Sequence, residues 1–180
     1  MIKKLKKEIK ELLPTVVTTG AVALILNIFV GITTVQGSSM EPTLYTGNKL
    51  IINKIAKLTD NIDRGDIIVF DATPGEGKKD KIFYIKRVIG KEGDLIEIKN
   101  GDVFVNGKEI KEEYADKTNS PSNLTMTVPD DSYFVLGDNR DRSNDSRYFG
   151  TILHSQVSGK ISMQIFPNLN TSKFNPSLSR

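Results

Sequence analysis

The first strong pattern along the chain is an uncharged, mostly apolar segment at 15–35, TVVTTGAVALILNIFVGITTV. As an α-helix its 21 residues would reach about 31 Å, close to the hydrocarbon thickness of a bilayer. This stretch is longer than the apolar region of a cleaved signal peptide, and no small-x-small cleavage site closes it. The pattern predicts an uncleaved transmembrane anchor. The alternative is a buried helix of a soluble domain, to which Gly20, Gly31 and the threonines are less suited.

After residue 36 the pattern changes to short apolar runs bounded by turn residues, such as KLIINKIA, GDIIVF, KIFYIKRVIG, SYFVLGD and GKISMQIF. The stretch LIEIKNGDVFVNGKEI alternates with period two around Asn100-Gly101 and Asn106-Gly107. Asn-Gly between alternating runs is a strong hairpin signal, because both turn residues take positive φ. The pattern predicts a mainly β fold that includes a three-stranded meander over about 95–110.

The excess positive charge lies before the apolar segment. Residues 1–13 hold five lysines and two glutamates, and the whole chain has the same net charge of +3, so residues 14–180 are neutral. Lysines on the N-terminal side predict a cytoplasmic N-terminus, with everything from Gln36 onward outside. A neutral domain gives little support to a nucleic-acid partner. The absence of cysteine excludes disulfides and thiolate-bound metals.

Two adjacent serines follow the apolar segment directly, in VQGSSMEPTL at 35–44. The stretch is either a small polar linker or the site of a serine nucleophile, which needs a neighbouring base. It is not an α/β-hydrolase elbow, because Glu41 stands where that motif needs its second glycine. His154, the single histidine, has no apolar setting or recognisable partner in LHSQ and is a weak candidate for the base.

Lys86 is a stronger candidate for the base. Strand alternation in KIFYIKRVIG puts it on one face with Ile82, Tyr84 and Val88. If that face is buried, desolvation lowers the pKa of the amine and supplies the neutral lysine that a general base must be. If the strand lies at an edge, the side chain reaches solvent instead. The strand pattern alone leaves both possibilities open.

The acidic run GDNRDRSNDSRYFG at 137–150 begins a calcium-loop pattern at Asp141 but does not complete it. Ser146 replaces the glycine required at the sixth position, and Ile152 replaces the glutamate at the twelfth. Three arginines balance three aspartates within the run. Internal ion pairing therefore explains these charges better than a metal, and no metal site is predicted.

These segments, in this order, resemble a bacterial type I signal peptidase in the short single-anchor form common in Gram-positive bacteria. The resemblance rests on GSSMEPTL, RGDIIVF, YIKRVIGKEGD and GDNRDRSNDSRYFG after the N-terminal anchor. It implies a membrane-bound serine endopeptidase that removes N-terminal signal peptides from secretory preproteins after small-x-small sites, through an acyl-enzyme. No cofactor is implied.

The resemblance also implies roles for individual residues. Ser39 matches the nucleophile, Lys86 the general base, and Ser143 the hydroxyl that orients the lysine amine. Asp145 and Arg147 match an ion pair beside the site. The same loop is completed by Asp138, Asn139, Arg140 and Ser146.

The turn around the nucleophile comprises Gly37, Ser38 and Met40. Longer Gram-negative relatives carry a serine at the position of Gly37, so the oxyanion is expected to bind mainly backbone N–H groups, that of Ser39 among them. The residues expected to line shallow apolar substrate pockets are Val35, Met40, Tyr84 and Ile85.

The implied fold is an N-terminal transmembrane helix followed by a β-rich catalytic core with a small β insertion. The expected organisation is a basic cytoplasmic tail at 1–14, the anchor at 15–35, and an extracytoplasmic catalytic domain at 36–167. The insertion is expected at about 90–131 and a flexible tail at 168–180.

The implied location is the cell membrane, with a single span. The expected partners are secretory preproteins and membrane lipid. The protein is expected to be a monomer that lies close to the secretion translocase. Two alternatives remain at this level: a dedicated Ser/Lys peptidase for a special exported subset, and a non-catalytic homologue that binds preproteins.

Overall fold

The computed structural model describes residues 2–73, 81–117 and 123–167. The tail predicted at 168–180 lies outside the described residues. Three α-helices, two 3₁₀-helices and eleven strands are assigned within them. The prediction of a mainly β fold is confirmed.

The N-terminal helix α1 spans Ile2–Phe29, so it differs from the predicted segment 15–35 at both ends. It starts earlier because lysine, glutamate and leucine are good helix formers, and it continues through Pro14. It ends earlier because Val30–Thr34 is rich in β-branched residues, which favour strands, and pairs with the strand at Lys49–Asn53. Residues 30–34 therefore belong to the sheet. Among the described residues, no helix combines the length and apolar character that crossing a membrane requires.

A seven-stranded sheet carries most of the fold, with antiparallel pairing throughout and strand order β1-β2-β11-β3-β4-β9-β10. Its strands are β1 Val30–Thr34, β2 Lys49–Asn53, β3 Ile67–Asp71, β4 Phe83–Lys91, β9 Ser132–Leu136, β10 Ile152–Leu153 and β11 Val157–Phe166. Two short helices accompany it, α2 Ile55–Leu58 and α3 Ser146–Phe149. Because β4 pairs with β3 on one side and β9 on the other, it is an interior strand.

A second sheet of four strands has the order β7-β6-β5-β8. Its strands are β5 Leu95–Lys99, β6 Asp102–Val105, β7 Lys108–Glu109 and β8 Leu124–Thr127. The predicted three-stranded meander is confirmed by the pairing of β5 with β6 and β6 with β7. Asn100 and Asn106 have φ of 52° and 53°, and both following glycines are also positive. The sheet falls inside the range 90–131 expected for the insertion.

Three apolar clusters hold these layers together. One joins Val35, Met40 and Leu44 to the β2, β3 and β11 side of the large sheet. A second packs Phe70, Val88 and Val135 beside α2. The third links the small sheet to Ile89 and Phe134 of the large one. The sheets approach closely at Gly90, where an added Cβ would lie 2.6 Å from Cδ1 of Ile96.

Candidate active site

The turn that carries Ser39 follows β1, and the apolar side chains next to Ser39 hold it in place because they are buried. Met40 and Leu44 are buried in the first apolar cluster, and the Leu44 amide donates to the Met40 carbonyl over 2.8 Å. The Glu41 amide donates to the Ser38 carbonyl over 3.1 Å. Ser39 stays half-buried above these anchors, which leaves its hydroxyl at the wall of a cleft.

Lys86 lies in the interior of β4, opposite Ile68 of β3, and only 4% of its surface is exposed. Its Nζ donates to Ser39 Oγ over 2.8 Å and to the Ile85 carbonyl over 3.2 Å. The side chain therefore does not reach out to solvent, and the structure brings the two residues together. In its neutral form the same amine can accept the serine proton across this contact.

Burial lowers the pKa of Lys86 from its ordinary value of 10.5 to about 8, and the carboxylates of Asp145 and Asp138 oppose the shift. At pH 7 a group with a pKa of about 8 is neutral in roughly one molecule in ten. The environment therefore makes a proton acceptor available near neutral pH, which an exposed lysine would not.

Ser143, expected to orient the lysine amine, is buried close by, but its hydroxyl has no hydrogen-bond partner within the described part of the chain. The contacts of Lys86 Nζ go to Ser39 and Ile85 instead. The Ser143 side chain packs against Gly137. A Cβ added to Gly137 would overlap the Ser143 side chain and lie 2.5 Å from the Ser39 carbonyl oxygen. Gly137 is thus a site residue that was not predicted, because a single glycine after a strand does not indicate that Ser143 and Ser39 pack closely against it.

Asp145 and Arg147 form a buried ion pair, with Arg147 Nε 2.8 Å from Asp145 Oδ1. The Asp145 carboxylate also caps α3 and accepts the Gly137 amide over 3.0 Å. Arg147 Nη2 donates to the Arg140 carbonyl over 2.7 Å. The pair therefore ties both ends of the 137–147 loop beside the lysine.

Arg87 and Asp138 form a second buried ion pair. Arg87 donates Nε and Nη2 to the two carboxylate oxygens over 2.8 and 2.6 Å, and Thr43 donates to Oδ2 over 2.5 Å. The following residue, Asn139, donates its backbone amide to the Ser39 carbonyl over 3.1 Å. Arg87 and Thr43 were not predicted. An arginine inside the apolar run after Lys86 was the only available signal.

The cleft beside Ser39 and Lys86 has a volume of about 660 Å³. Its lining includes all the residues predicted for the turn and the pockets, namely Val35, Gly37, Ser38, Met40, Tyr84 and Ile85. It also includes eight residues that were not predicted: Thr33, Thr34, Gln36, Val69, Lys81, Phe83, Arg142 and Asn144. Val35, Met40 and Val69 are buried in the first apolar cluster, so this wall is backed by packed core.

His154 does not take part in this arrangement. It lines a different cavity with Asp60 and Tyr133, and its Nδ1 lies 3.9 Å from an oxygen of Asp131. The arrangement around Ser39 can support nucleophilic attack with lysine as the proton acceptor, without a histidine.

Comparison with known proteins places the chain in a family. Residues 9–166 match the family described as signal peptidase, peptidase S26. A signal peptidase I P of Bacillus subtilis subsp. natto is 43% identical over 144 residues, 74% of this chain and 75% of that protein. A signal peptidase IB of Staphylococcus aureus strain COL is 33% identical over 185 residues, 91% of this chain and 92% of that protein.

A crystal structure of a signal peptidase I from Enterococcus faecalis V583 has a TM-score of 0.46 and 34% identity, covering 54% of this chain and 94% of that one. The family match covers most of the chain. The alignments with the two relatives named above include 75% and 92% of the length of those proteins. The resemblance inferred from the ordered segments is confirmed: the chain belongs to the signal peptidase family, peptidase S26.

Proposed function

We propose that this protein is a membrane-bound serine endopeptidase that removes N-terminal signal peptides from secretory preproteins after small-x-small sites. The observation that carries the proposal is the contact of 2.8 Å between Ser39 Oγ and the amine of a lysine buried in an interior strand. The membership of the chain in the signal peptidase family supports the substrate class.

In the proposed mechanism neutral Lys86 takes the proton of Ser39 while Oγ attacks the carbonyl carbon of the scissile peptide bond. Backbone N–H groups at the Ser39 turn stabilise the resulting oxyanion. Collapse of the intermediate breaks the C–N bond, and the lysine ammonium gives its proton to the leaving amine. Lys86 then takes a proton from water, whose oxygen attacks the carbonyl carbon of the acyl-enzyme ester. Collapse of this second intermediate breaks the C–Oγ bond, and the lysine ammonium returns the proton to Ser39 Oγ as the carboxylic acid product leaves.

The preference for small substrate side chains follows from the walls of the cleft. Val35, Met40 and Val69 are held in the apolar core, so they cannot retreat to admit a large side chain. Ile85 packs against the same cluster from β4. Pockets bounded in this way accept small side chains and exclude larger ones by steric clash.

The proposed membrane location rests on the N-terminal part of the chain. Exposed apolar side chains are present on α1 and continue onto β1; they include Leu12, Leu13, Val16, Val17, Ile28, Val30 and Ile32. Lysines concentrate before them, which favours a cytoplasmic N-terminus. Ser39 follows β1 by five residues, so the site would lie close to the outer surface of the membrane. The proposed form is a monomer near the secretion translocase.

The test is cleavage of a purified preprotein by the wild type and by Ser39→Ala, Lys86→Ala and His154→Ala. We expect the first two substitutions to abolish cleavage and the third to leave it unchanged. In the wild type the rate should fall about tenfold for each pH unit below about 8, because Lys86 gains its proton there. Cleavage by Lys86→Ala, or a rate that does not change between pH 8 and pH 5, would refute the mechanism.

A further inference from the structure

Residues 112–117, here called the strap, leave the small sheet after β7 and lie against the 137–142 loop. The Asp116 amide donates to the Asp138 carbonyl over 2.8 Å, and the Arg140 amide donates to the Asp116 carbonyl over 2.9 Å. These bonds form an isolated parallel bridge between Asp116 and Asn139. Because the Asn139 amide in turn holds the Ser39 carbonyl, the strap lies two backbone hydrogen bonds from the nucleophile.

A buried ion pair adds a second connection between the strap and the loop. Arg140 donates Nη1 and Nη2 to the two oxygens of Glu112 over 2.8 and 2.5 Å. Side-chain exposure is 3% for Arg140 and zero for Glu112. Arg140 Nε also donates to the Gly137 carbonyl over 3.0 Å. The Arg140 guanidinium therefore joins the strap to Gly137, which packs against Ser143 and Ser39.

Tyr114 supplies a third connection, to the strand that carries the lysine. Its ring lies 4.0 Å from the guanidinium carbon of Arg87, and its hydroxyl donates to Glu112 Oε1 over 3.1 Å. Arg87 follows Lys86 in β4 and holds Asp138 through two hydrogen bonds. The strap thus contacts the residue that follows Lys86 in β4, and it is bonded to the loop whose Asn139 amide holds the Ser39 carbonyl.

Stability alone does not account for these contacts. A buried ion pair loses much of its attraction to the cost of removing both charges from water, and well-packed apolar residues often serve stability equally well. What such a pair provides is a defined geometry, since Arg binds a carboxylate through two parallel hydrogen bonds. The bidentate contact between Glu112 and Arg140 joins the strap to the loop that holds the Ser39 carbonyl.

We propose that Glu112 and Tyr114 are positioning residues, through which the small sheet sets the distance between Ser39 and Lys86. This inference rests on the proposed function. Neither side chain is among the residues that line the catalytic cleft, so a loss of positioning should appear in kcat and leave KM nearly unchanged.

The experiment compares peptide cleavage by the full-length wild type, Glu112→Gln, Tyr114→Leu and Tyr114→Phe, at a temperature where circular dichroism shows each protein folded. We expect Glu112→Gln and Tyr114→Leu to lower kcat at least tenfold with KM changed less than twofold. Tyr114→Phe keeps the ring over Arg87 and should retain at least half of the wild-type kcat. If Glu112→Gln does not fold, the two Tyr114 variants decide the question.

The matched control is Asp94→Asn, because Asp94, which directly precedes β5, also accepts two hydrogen bonds from an arginine, Arg64. It should lower the unfolding temperature and leave kcat unchanged. Wild-type kcat in both Glu112→Gln and Tyr114→Leu, or an equal fall of kcat in Asp94→Asn, would overturn the positioning role. A wild type that does not cleave, or a Ser39→Ala variant that does, would instead overturn the proposed function.

Discussion

The two sheets of this protein bury very different side chains. In the strands of the small sheet, the buried residues are Ile96, Ile98, Val103 and Val105, all of them apolar. In the large sheet, strand β4 buries two consecutive basic residues, Lys86 and Arg87. The loop after β9 adds further buried charges, Asp138, Arg140 and Asp145.

This difference separates stability from chemistry. Burial of apolar surface stabilises a fold without any requirement for exact partners, at about 25 cal/mol per Å². A buried charge costs free energy unless it is paired and hydrogen-bonded, so its environment is tightly specified. Arg87 pairs with Asp138 and Arg147 with Asp145, while within the described ranges the Lys86 amine has only the Ser39 hydroxyl and the Ile85 carbonyl as hydrogen-bond partners. Burial lowers the pKa of that under-compensated amine.

The substitution expected to disturb the large sheet most is Gly137→Ala. The new methyl group would overlap Ser143 and approach the Ser39 carbonyl oxygen to 2.5 Å, so the loop that holds Ser39 must move. We expect kcat for peptide cleavage to fall at least 100-fold, a loss of about 2.7 kcal/mol in transition-state stabilisation. The control is Gly20→Ala, where an added Cβ meets nothing within 4 Å and kcat should not change. Equal activity of the two variants would show that the loop tolerates the clash.

Replacing the under-compensated charge should make the protein inactive and more stable. At pH 7 Lys86 is mostly protonated in both the folded and unfolded states, and its pKa shift from 10.5 to about 8 corresponds to about 3 kcal/mol of lost stability. Lys86→Met should therefore raise the free energy of unfolding by about 2 to 3 kcal/mol at pH 7, measured by urea denaturation.

The pH dependence of that difference follows from proton binding. Between pH 8 and 10.5 the unfolded wild type binds more protons at this lysine than the folded protein, so wild-type stability rises with pH. The advantage of Lys86→Met should therefore shrink across this window and be constant below it. A difference that does not vary with pH would show that desolvation of the amine is not its cause.

The smallest expected effect lies in the small sheet. Ile96→Val removes Cδ1, the atom that packs against Gly90 where the two sheets meet. The free energy of unfolding should fall by about 1 kcal/mol, as is usual for Ile→Val in a core. Because no charge is disturbed, kcat and KM should both stay at wild-type values. A fall in kcat larger than twofold would mean that the small sheet influences the site through its core as well as through the strap.

Much of the small sheet could be predicted from local sequence. Alternation of apolar and polar residues specifies which face of a strand is buried, and Asn100-Gly101 and Asn106-Gly107 specify the turns through their positive φ. The boundary between α1 and β1 could not be predicted in this way. Apolar residues at Val30 and Ile32 suit a membrane helix and a strand equally, and only the availability of β2 as a partner decides between them.

The candidate site divides in the same manner. Sequence by itself determined the chemical groups: a serine after β1, a lysine in an apolar run, and a loop with balanced charges, in an order typical of one family. Tertiary structure decided whether those groups could react. Lys86 is a candidate base because its side chain is buried against the turn that carries Ser39, which removes water from the amine and lowers its pKa. The contacts of Gly137 and of the strap join residues distant along the chain, and no local pattern encodes a contact of that kind.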